Sequence, residues 1–195
     1  MRREYDECCT FRGSVAALRV QDGAVVWKSY LISETPRRVS ATKDGRPIWG
    51  PSGAGIWSAP TVDPKRGVLY VTTGNNYTPP ATRASDAVVA LGMATGAIVG
   101  TRQVTPDDVF SGCGTCVDER GRGPDHDFAA SAVLVSLDGG RDILVAGQKS
   151  GIVYGFDPDR QGAVVWQTRV AKGSSHGGVQ FGIASAGQYV YAPIA

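Results

Sequence analysis

Two groups that could share one ligand lie within residues 53–76, GAGIWSAPTVDPKRGVLYVTTGNN. Trp57 stands just ahead of one short strand pattern, and Asn75 lies in a Thr73-Gly74-Asn75 turn just after the next. A tryptophan presents a broad aromatic face on which a flat ring system can stack. An amide oxygen is a neutral ligand of the kind Ca²⁺ accepts. Each residue alone has a plainer explanation: tryptophan is commonly a core residue, and asparagine is a turn residue that tolerates the left-handed region. Together, at this spacing and beside the repeat described below, they favour a single cofactor site. Further on, Gly123-Pro-Asp-His-Asp127-Phe128 adds two carboxylates around a histidine. The usual fate of such a cluster is a solvated loop, with His126 at the surface. His176, in Lys172-Gly-Ser-Ser-His-Gly-Gly, suits a turn better than catalysis.

The elements that must position these groups are short strands. The chain has 195 residues, 42% of them hydrophobic and 19% charged, with 26 glycines and 11 prolines. That composition supports a core and favours many turns between strands over long helices. No segment sustains helical apolar spacing over three turns. The net charge of +2 comes without a polybasic run, so nothing points to nucleic acid or an anionic membrane. No apolar run approaches the length of a membrane span. The opening MRREYDECC lacks the apolar stretch of a signal peptide, which leaves a cytosolic protein or a chain without its true N-terminus.

The cysteines fall as Cys8-Cys9 and Cys113-Gly-Thr-Cys116. The second pair has zinc-like spacing, but no further pair or histidine cluster completes a site. Val117 stands where a haem c site needs histidine. Loop cysteines in a glycine-rich β protein more often form a disulfide, which implies an oxidising compartment. A free or redox-active pair is the alternative.

A repeat organises the strands. Ser14-Val-Ala-Ala-Leu18 leads through Asp22-Gly23 to Ala24-Val-Val-Trp27. Ala87-Val-Val-Ala-Leu91 leads through Thr95-Gly96 to Ala97-Ile-Val-Gly100, and Gly151-Ile-Val-Tyr154-Gly-Phe156 through Gln161-Gly162 to Ala163-Val-Val-Trp166. Each unit reads as a hairpin, two β-branched runs about a glycine turn. Strand-like runs at 58–63 and 68–73 precede the second copy, runs at 130–136 and 143–148 precede the third, and runs at 178–185 and 189–194 follow it. The recurring four-run unit predicts an all-β, partial β-propeller: two complete four-stranded blades, 57–104 and 129–170, and two half blades, 13–30 and 177–195. A sandwich explains hairpins equally well but not the four-run unit. The stretches 32–55 and 105–128, rich in Pro, Gly and charge, read as long loops at one end of the sheets. A propeller must close its ring, so two complete blades imply a fragment or a truncated reading frame.

The hairpin repeat resembles the tryptophan-docking motif of the pyrroloquinoline quinone (PQQ) dependent alcohol dehydrogenases, eight-bladed propellers with the pattern Ala-x-Asp-x-x-x-Gly-x-x-x-Trp. Ala17, Gly23 and Trp27 match, with Arg19 at the Asp position; Ala90 and Gly96 match, with Gly92 and Gly100 replacing Asp and Trp; Asp157, Gly162 and Trp166 match once an extra turn residue is allowed. Ile-Trp-Ser-Ala-Pro-Thr-Val-Asp63 and Thr73-Gly74-Asn75 resemble the cofactor-floor strand and its Thr-Gly-Asn turn. The resemblance implies that Trp57 stacks under PQQ and that Asn75 gives its amide oxygen to Ca²⁺. The segment 123–128 resembles the one carrying the catalytic Asp. That makes Asp127 a general base for the substrate hydroxyl, and a metal ligand with Asn75. Lys149, in Gln148-Lys149-Ser150-Gly151, falls where the family places a cation beside the reactive quinone oxygen, although a strand-end lysine is ordinarily exposed.

Cys8-Cys-Thr-Phe-Arg12-Gly13, with Val-Thr-Pro-Asp-Asp at 104–108 and the cysteine loop after it, is most similar to the polyvinyl alcohol dehydrogenases. Those are periplasmic quinoproteins that oxidise secondary alcohols of a synthetic polymer. The family's adjacent-cysteine disulfide lies in a different blade, so that role is not carried onto Cys8 and Cys9. Arg12 matches the Arg-Gly step that opens the hairpin. The family's Ca²⁺-binding Glu falls at Cys8 by strict spacing, and neither Glu4 nor Glu7 matches well. The resemblance implies hydride transfer from a secondary alcohol to PQQ, a Ca²⁺ Lewis acid, a cytochrome c acceptor and a periplasmic location. A propeller scaffold of the outer-membrane-assembly type is the alternative, disfavoured by the joint presence of Trp57, Asn75 and Asp127. An inactive remnant is a third reading.

Overall fold

The computed structural model describes residues 10–43, 45–111 and 123–195. The readings made on Glu4, Glu7, Cys8, Cys9, Cys113 and Cys116 therefore lie outside the described residues. Four antiparallel sheets follow one another along the repeat. A hairpin of β1 (Ser14–Leu18) and β2 (Val25–Tyr30) comes first. Next come β6 (Thr61–Asp63), β7 (Val68–Thr72), β9 (Ala87–Gly92) and β10 (Ile98–Gln103), side by side in that order. The third sheet is β11 (Val133–Ser136), β12 (Asp142–Gly147), β13 (Ile152–Asp157) and β14 (Ala163–Arg169), again in chain order, and β15 (Ala184–Ala186) pairs with β16 (Tyr189–Tyr191) at the end. These are the two four-stranded blades and two half blades expected, with the sheets not closed into a ring.

The hairpins form where they do because their turns need a left-handed residue. Gly23, Gly96 and Gly162 occupy equivalent positions with φ of +72°, +70° and +66°, values glycine adopts without steric cost. The central strands β9 and β12 read as continuous apolar runs because both faces are covered. Along β7 and β9, alternation sends Val71, Val89 and Leu91 towards the first hairpin, where they meet Leu31, Ile32 and Ala54. Tyr70 and Val88 face the other way, onto Phe128, Leu144, Ala146, Tyr154 and Phe156 of the next sheet. A third cluster, with Val135, Ile143, Val145 and Val153 about Val179, packs that sheet against the last hairpin.

Three expectations change. The stretch 32–55 is not simply loop. It holds a hairpin of β3 (Arg37–Ala41) and β4 (Pro47–Gly50), and a short β5 (Ser52–Gly53) that pairs with β8 (Asn76–Thr78). β3 is almost wholly exposed, so no apolar alternation marks it in the sequence. The run at 58–63 pairs only over Thr61–Asp63, since Pro60 has no N–H to offer a ladder. The run at 178–185 is reduced to β15, because Gly178, Phe181 and Gly182 all take positive φ and break the extended chain.

Neighbouring sheets are locked at their rims. Trp27 on β2 donates its Nε1–H to the carbonyl of Met93 at 2.9 Å. Its ring lies so close over Gly96 that a Cβ there would approach it to 2.5 Å. Between the two complete blades the lock is ionic. Arg66, in the β6–β7 turn, donates to Asp63 at 2.8 Å, to Asp142 at 2.8 Å and through two nitrogens to Asp159 at 2.7 and 2.8 Å. Hydrogen bonding to Asp159 leads the forces holding the guanidinium charged; burial opposes it, and hydrogen bonds to Asp63 and Asp142 add to it, so the pKa is raised. Replacing Arg66 by Met would leave the buried carboxylates of Asp63 and Asp142 without this partner. We expect a loss of about 3–5 kcal/mol, read as a lowered urea midpoint with no change in slope.

Candidate active site

Where β7 ends, Thr73 anchors the following turn by donating its hydroxyl to the Ala84 carbonyl at 2.7 Å and accepting from the Ala87 N–H at 2.9 Å. Asn75 follows outside the left-handed region, so the turn-residue explanation does not apply. Its Nδ2 donates to the carbonyls of Asn76 and Phe110 at 2.6 and 2.5 Å. This fixes the amide and turns its oxygen away from those carbonyls. The Asn75 backbone N–H donates to Asp127 Oδ1 at 2.8 Å.

Asp127 reaches this point on a segment stitched between the two blades. The Phe128 N–H donates to the Thr73 carbonyl at 3.2 Å, and the Lys149 N–H donates to the Asp127 carbonyl at 2.9 Å. Upstream, the Asp108 carboxylate accepts the N–H groups of Asp125 and His126 at 3.2 and 2.8 Å. Gly123 permits that approach, since a Cβ there would fall 2.1 Å from Asp108 Oδ1. Lys149, in the β12–β13 turn, puts Nζ 2.5 Å from Asp127 Oδ2, 3.1 Å from Asp125 Oδ2 and 4.9 Å from the centre of the Trp57 ring. The four sequence-predicted site residues thus converge. Asp127 has no exposed surface and Lys149 is 5% exposed, whereas Trp57 is 52% exposed. Trp57 is not a core residue, and the carboxylates at 125 and 127 are not solvated. His126 is half-buried rather than at the surface, and burial lowers its pKa. His176 is exposed in a turn, its N–H donated to Ser174 Oγ.

The electrostatics follow from burial. Desolvation works against the Lys149 ammonium, but hydrogen bonding and attraction to Asp127 and then Asp125 outweigh it, so its pKa is raised. Desolvation and the charge of Asp127 push Asp125 up to about 6, with Lys149 opposing. Asp86 is buried at φ +49° with neither carboxylate oxygen hydrogen-bonded. Burial, then the charges of Asp108, Asp127 and Asp125, push it up to about 10. Asp86 and Asp108 escaped the sequence reading. Nothing distinguishes a buried acid in Arg-Ala-Ser-Asp86 from an exposed one, and Asp108 was visible only as part of a motif.

The arrangement suits a flat, polar ring system. It offers an open tryptophan face with a lysine ammonium beside it, and a bare backbone at Gly55 and Gly74. A Cβ at Gly55 would come within 3.0 Å of Trp57 Nε1, and one at Gly74 within 2.7 Å of Asp127 Oδ1. For a metal the fit is partial. Asn75 and Asp127 supply at most three side-chain oxygens, fewer than the six to eight Ca²⁺ takes. Among the described residues, no three His, Cys, Asp or Glu side chains converge as ligands.

Against known families, residues 3–172 match the PQQ family "Glucose/ethanol/alcohol dehydrogenase, beta-propeller domain". The chain belongs to this family. A polyvinylalcohol dehydrogenase of Pseudomonas sp. is 45% identical over 192 residues, and one of Sphingopyxis sp. (strain 113P3) is 39% identical over 194. Each alignment covers 96% of this chain and 30% of the relative, so the chain spans under a third of these proteins. Among solved structures, quinohemoprotein alcohol dehydrogenases share the fold. The one from Comamonas testosteroni superposes with a TM-score of 0.55 at 19% identity, over 81% of this chain and 25% of that one. The one from Pseudomonas putida gives 0.52 at 20%, over 83% and 25%.

The Asp86 carboxyl binds its proton more tightly in the folded chain than in the unfolded one. Its contribution to stability is therefore full below about pH 4, the ordinary carboxylate value, and is lost progressively as pH rises towards 10. Asp86→Asn removes that dependence. The melting temperature of the variant should fall less than that of the parent between acidic and alkaline pH.

Proposed function

We propose that this chain forms the cofactor floor and catalytic base of a PQQ- and Ca²⁺-dependent dehydrogenase acting on secondary alcohols, polyvinyl alcohol among them. The observation that carries this reading is the meeting of Asp127, Lys149 and Asn75 beside the open face of Trp57. The 45% identity to a polyvinylalcohol dehydrogenase supports the substrate class.

Trp57 provides the surface on which PQQ stacks, and Lys149 the cation that stabilises charge on its reactive oxygen. Asn75 and Asp127 would hold the Ca²⁺ ion together with donors from elsewhere. Bound there, PQQ would supply the acceptor for the hydride of the carbinol carbon and Ca²⁺ a Lewis acid. Asp127 takes the hydroxyl proton as the C–H bond breaks, so the alcohol leaves as a ketone. Its two oxygens offer about four lone-pair sites, of which the Asn75 N–H and the Lys149 ammonium use two. Lone pairs therefore remain for a substrate hydroxyl, and because the carboxylate has no exposed surface, the groups covering it must shift to admit one. Asp108 fixes the residues just before the base through the N–H groups of Asp125 and His126. Electrons would pass on to a cytochrome c in the periplasm, as the family resemblance implies.

The test is dye reduction by the protein supplied with PQQ, Ca²⁺ and a secondary alcohol, alongside PQQ binding followed by quenching of tryptophan fluorescence. Asp127→Asn should lower turnover by about 10²–10⁴-fold while PQQ still binds. Trp57→Ala should weaken PQQ binding itself. Turnover undiminished in Asp127→Asn, or PQQ bound equally without the Trp57 ring, would overturn the assignment.

A further inference from the structure

The rim locks of the repeat are not equivalent. On β2, Trp27 stands opposite Ala17 in the ladder, and its indole covers the Gly96 turn of the next sheet. On β10, the residue in the same register, opposite Ala90, is Gly100, and the turn it faces is that of Gly162. Arg102 takes over part of the lock, donating Nε to the Gly162 carbonyl at 3.0 Å and Nη2 to that of Gln161 at 3.4 Å. It does not fill the space an indole would take. A cavity of about 220 Å³ lies there between the two complete blades. Its floor is Tyr70, Val88, Leu144 and Phe156, all buried, and Arg102 and Asp159 stand at its rim. None of its lining residues belongs to the Asp127 site.

We propose that this cavity, opened where Gly100 faces Gly162, is a binding site for a planar aromatic molecule of indole size. An apolar cavity of sufficient volume takes up an apolar ligand in preference to water. Two aromatic side chains in the floor favour a ring over an aliphatic chain. Of the nitrogens of Arg102, Nε and Nη2 are occupied, and a guanidinium at the rim favours a π face or a polar substituent on the ring. The neighbouring interface of this same chain seats an indole in the equivalent register, so the blade spacing is compatible with a bicyclic ring.

Indole is the probe. Titrated into the full chain, it should give saturable shifts of the Val88 and Leu144 methyl resonances and a melting temperature that climbs with its concentration, as mass action requires. Gly100→Trp should supply the ring covalently. A Cβ at Gly100 meets only Ala90 Cβ, at 3.8 Å, and Gly100 lies outside the positive-φ region, so the backbone accepts a side chain. The variant should melt higher than the parent and show no saturable response to indole. If Gly100→Trp does not fold, Gly100→Leu carries the same reading with a smaller plug. Shifts that never saturate, that survive unaltered in the plugged variant, or that map to Trp57 instead would overturn the proposal.

Discussion

The carboxylate of Asp127 has no contact with water, and two blades are arranged to make that tolerable. An ionised side chain taken out of solvent must find its compensation within the protein. Here it comes from both sides: the Asn75 N–H of one blade at 2.8 Å and the Lys149 ammonium of the other at 2.5 Å. The main chain is tied at the same point, through Phe128 N–H to Thr73 and Lys149 N–H to Asp127. The joint that holds the sheets together is therefore also the joint that aims Asp127, the base of the proposed reaction. A side chain fixed by hydrogen bonds from two sheets is pre-positioned in the way the proposed role of Asp127 requires. The cost falls on the neighbouring acids: burial, and then the charge of Asp127 among others, raises the pKa values of Asp86, Asp108 and Asp125.

Away from that joint the blades are held by interchangeable means. The first interface uses an indole over a glycine turn, and the second combines a guanidinium on the same turn with the buried network of Arg66. Both satisfy one requirement, that the turn glycine of each hairpin be covered from the preceding blade. The ionic version is the more specific, because Arg66 meets carboxylates in the neighbouring β12 and the turn after β13, whereas an indole needs only a flat surface. It also leaves apolar surface less completely filled, which is why a cavity lies at the second interface.

How much of this was legible in the sequence depended on whether the physics leaves a trace in residue type. The hairpins were legible, because a left-handed turn selects glycine and Gly23, Gly96 and Gly162 mark each one. The central strands were legible from unbroken apolar runs. β3 was not, since an exposed strand held by backbone hydrogen bonds carries no apolar alternation. At the site, Trp57 and Asn75 stood out by side-chain chemistry and spacing beside the repeat, whereas Asp127 and Lys149 were singled out only by the family resemblance of the segments that carry them. Their burial was not legible. A carboxylate within Asp-His-Asp has the same composition whether solvated or sealed, and the fully buried Asp86 gave no sign at all.

The division of exposure within the site bears on its chemistry. The charged groups are buried and already paired, while the aromatic face is open. In the proposed function, a flat cofactor would settle on a floor where Asp127 and Lys149 are already in place, without first having to organise them. Lys149 has three N–H donors. Asp127 and Asp125 engage two, and the ammonium stands 4.9 Å from the Trp57 ring centre, which leaves the third for an oxygen of whatever lies on that ring. In the proposed reaction Asp127 loses its charge on taking the substrate proton. Asp125, 3.1 Å from the same ammonium, then keeps Lys149 paired through the step. A single carboxylate could serve as the base only by abandoning its lysine. With two carboxylates, the cation stays fixed while the proton moves, and the field it exerts on the cofactor side stays in place when charge develops there.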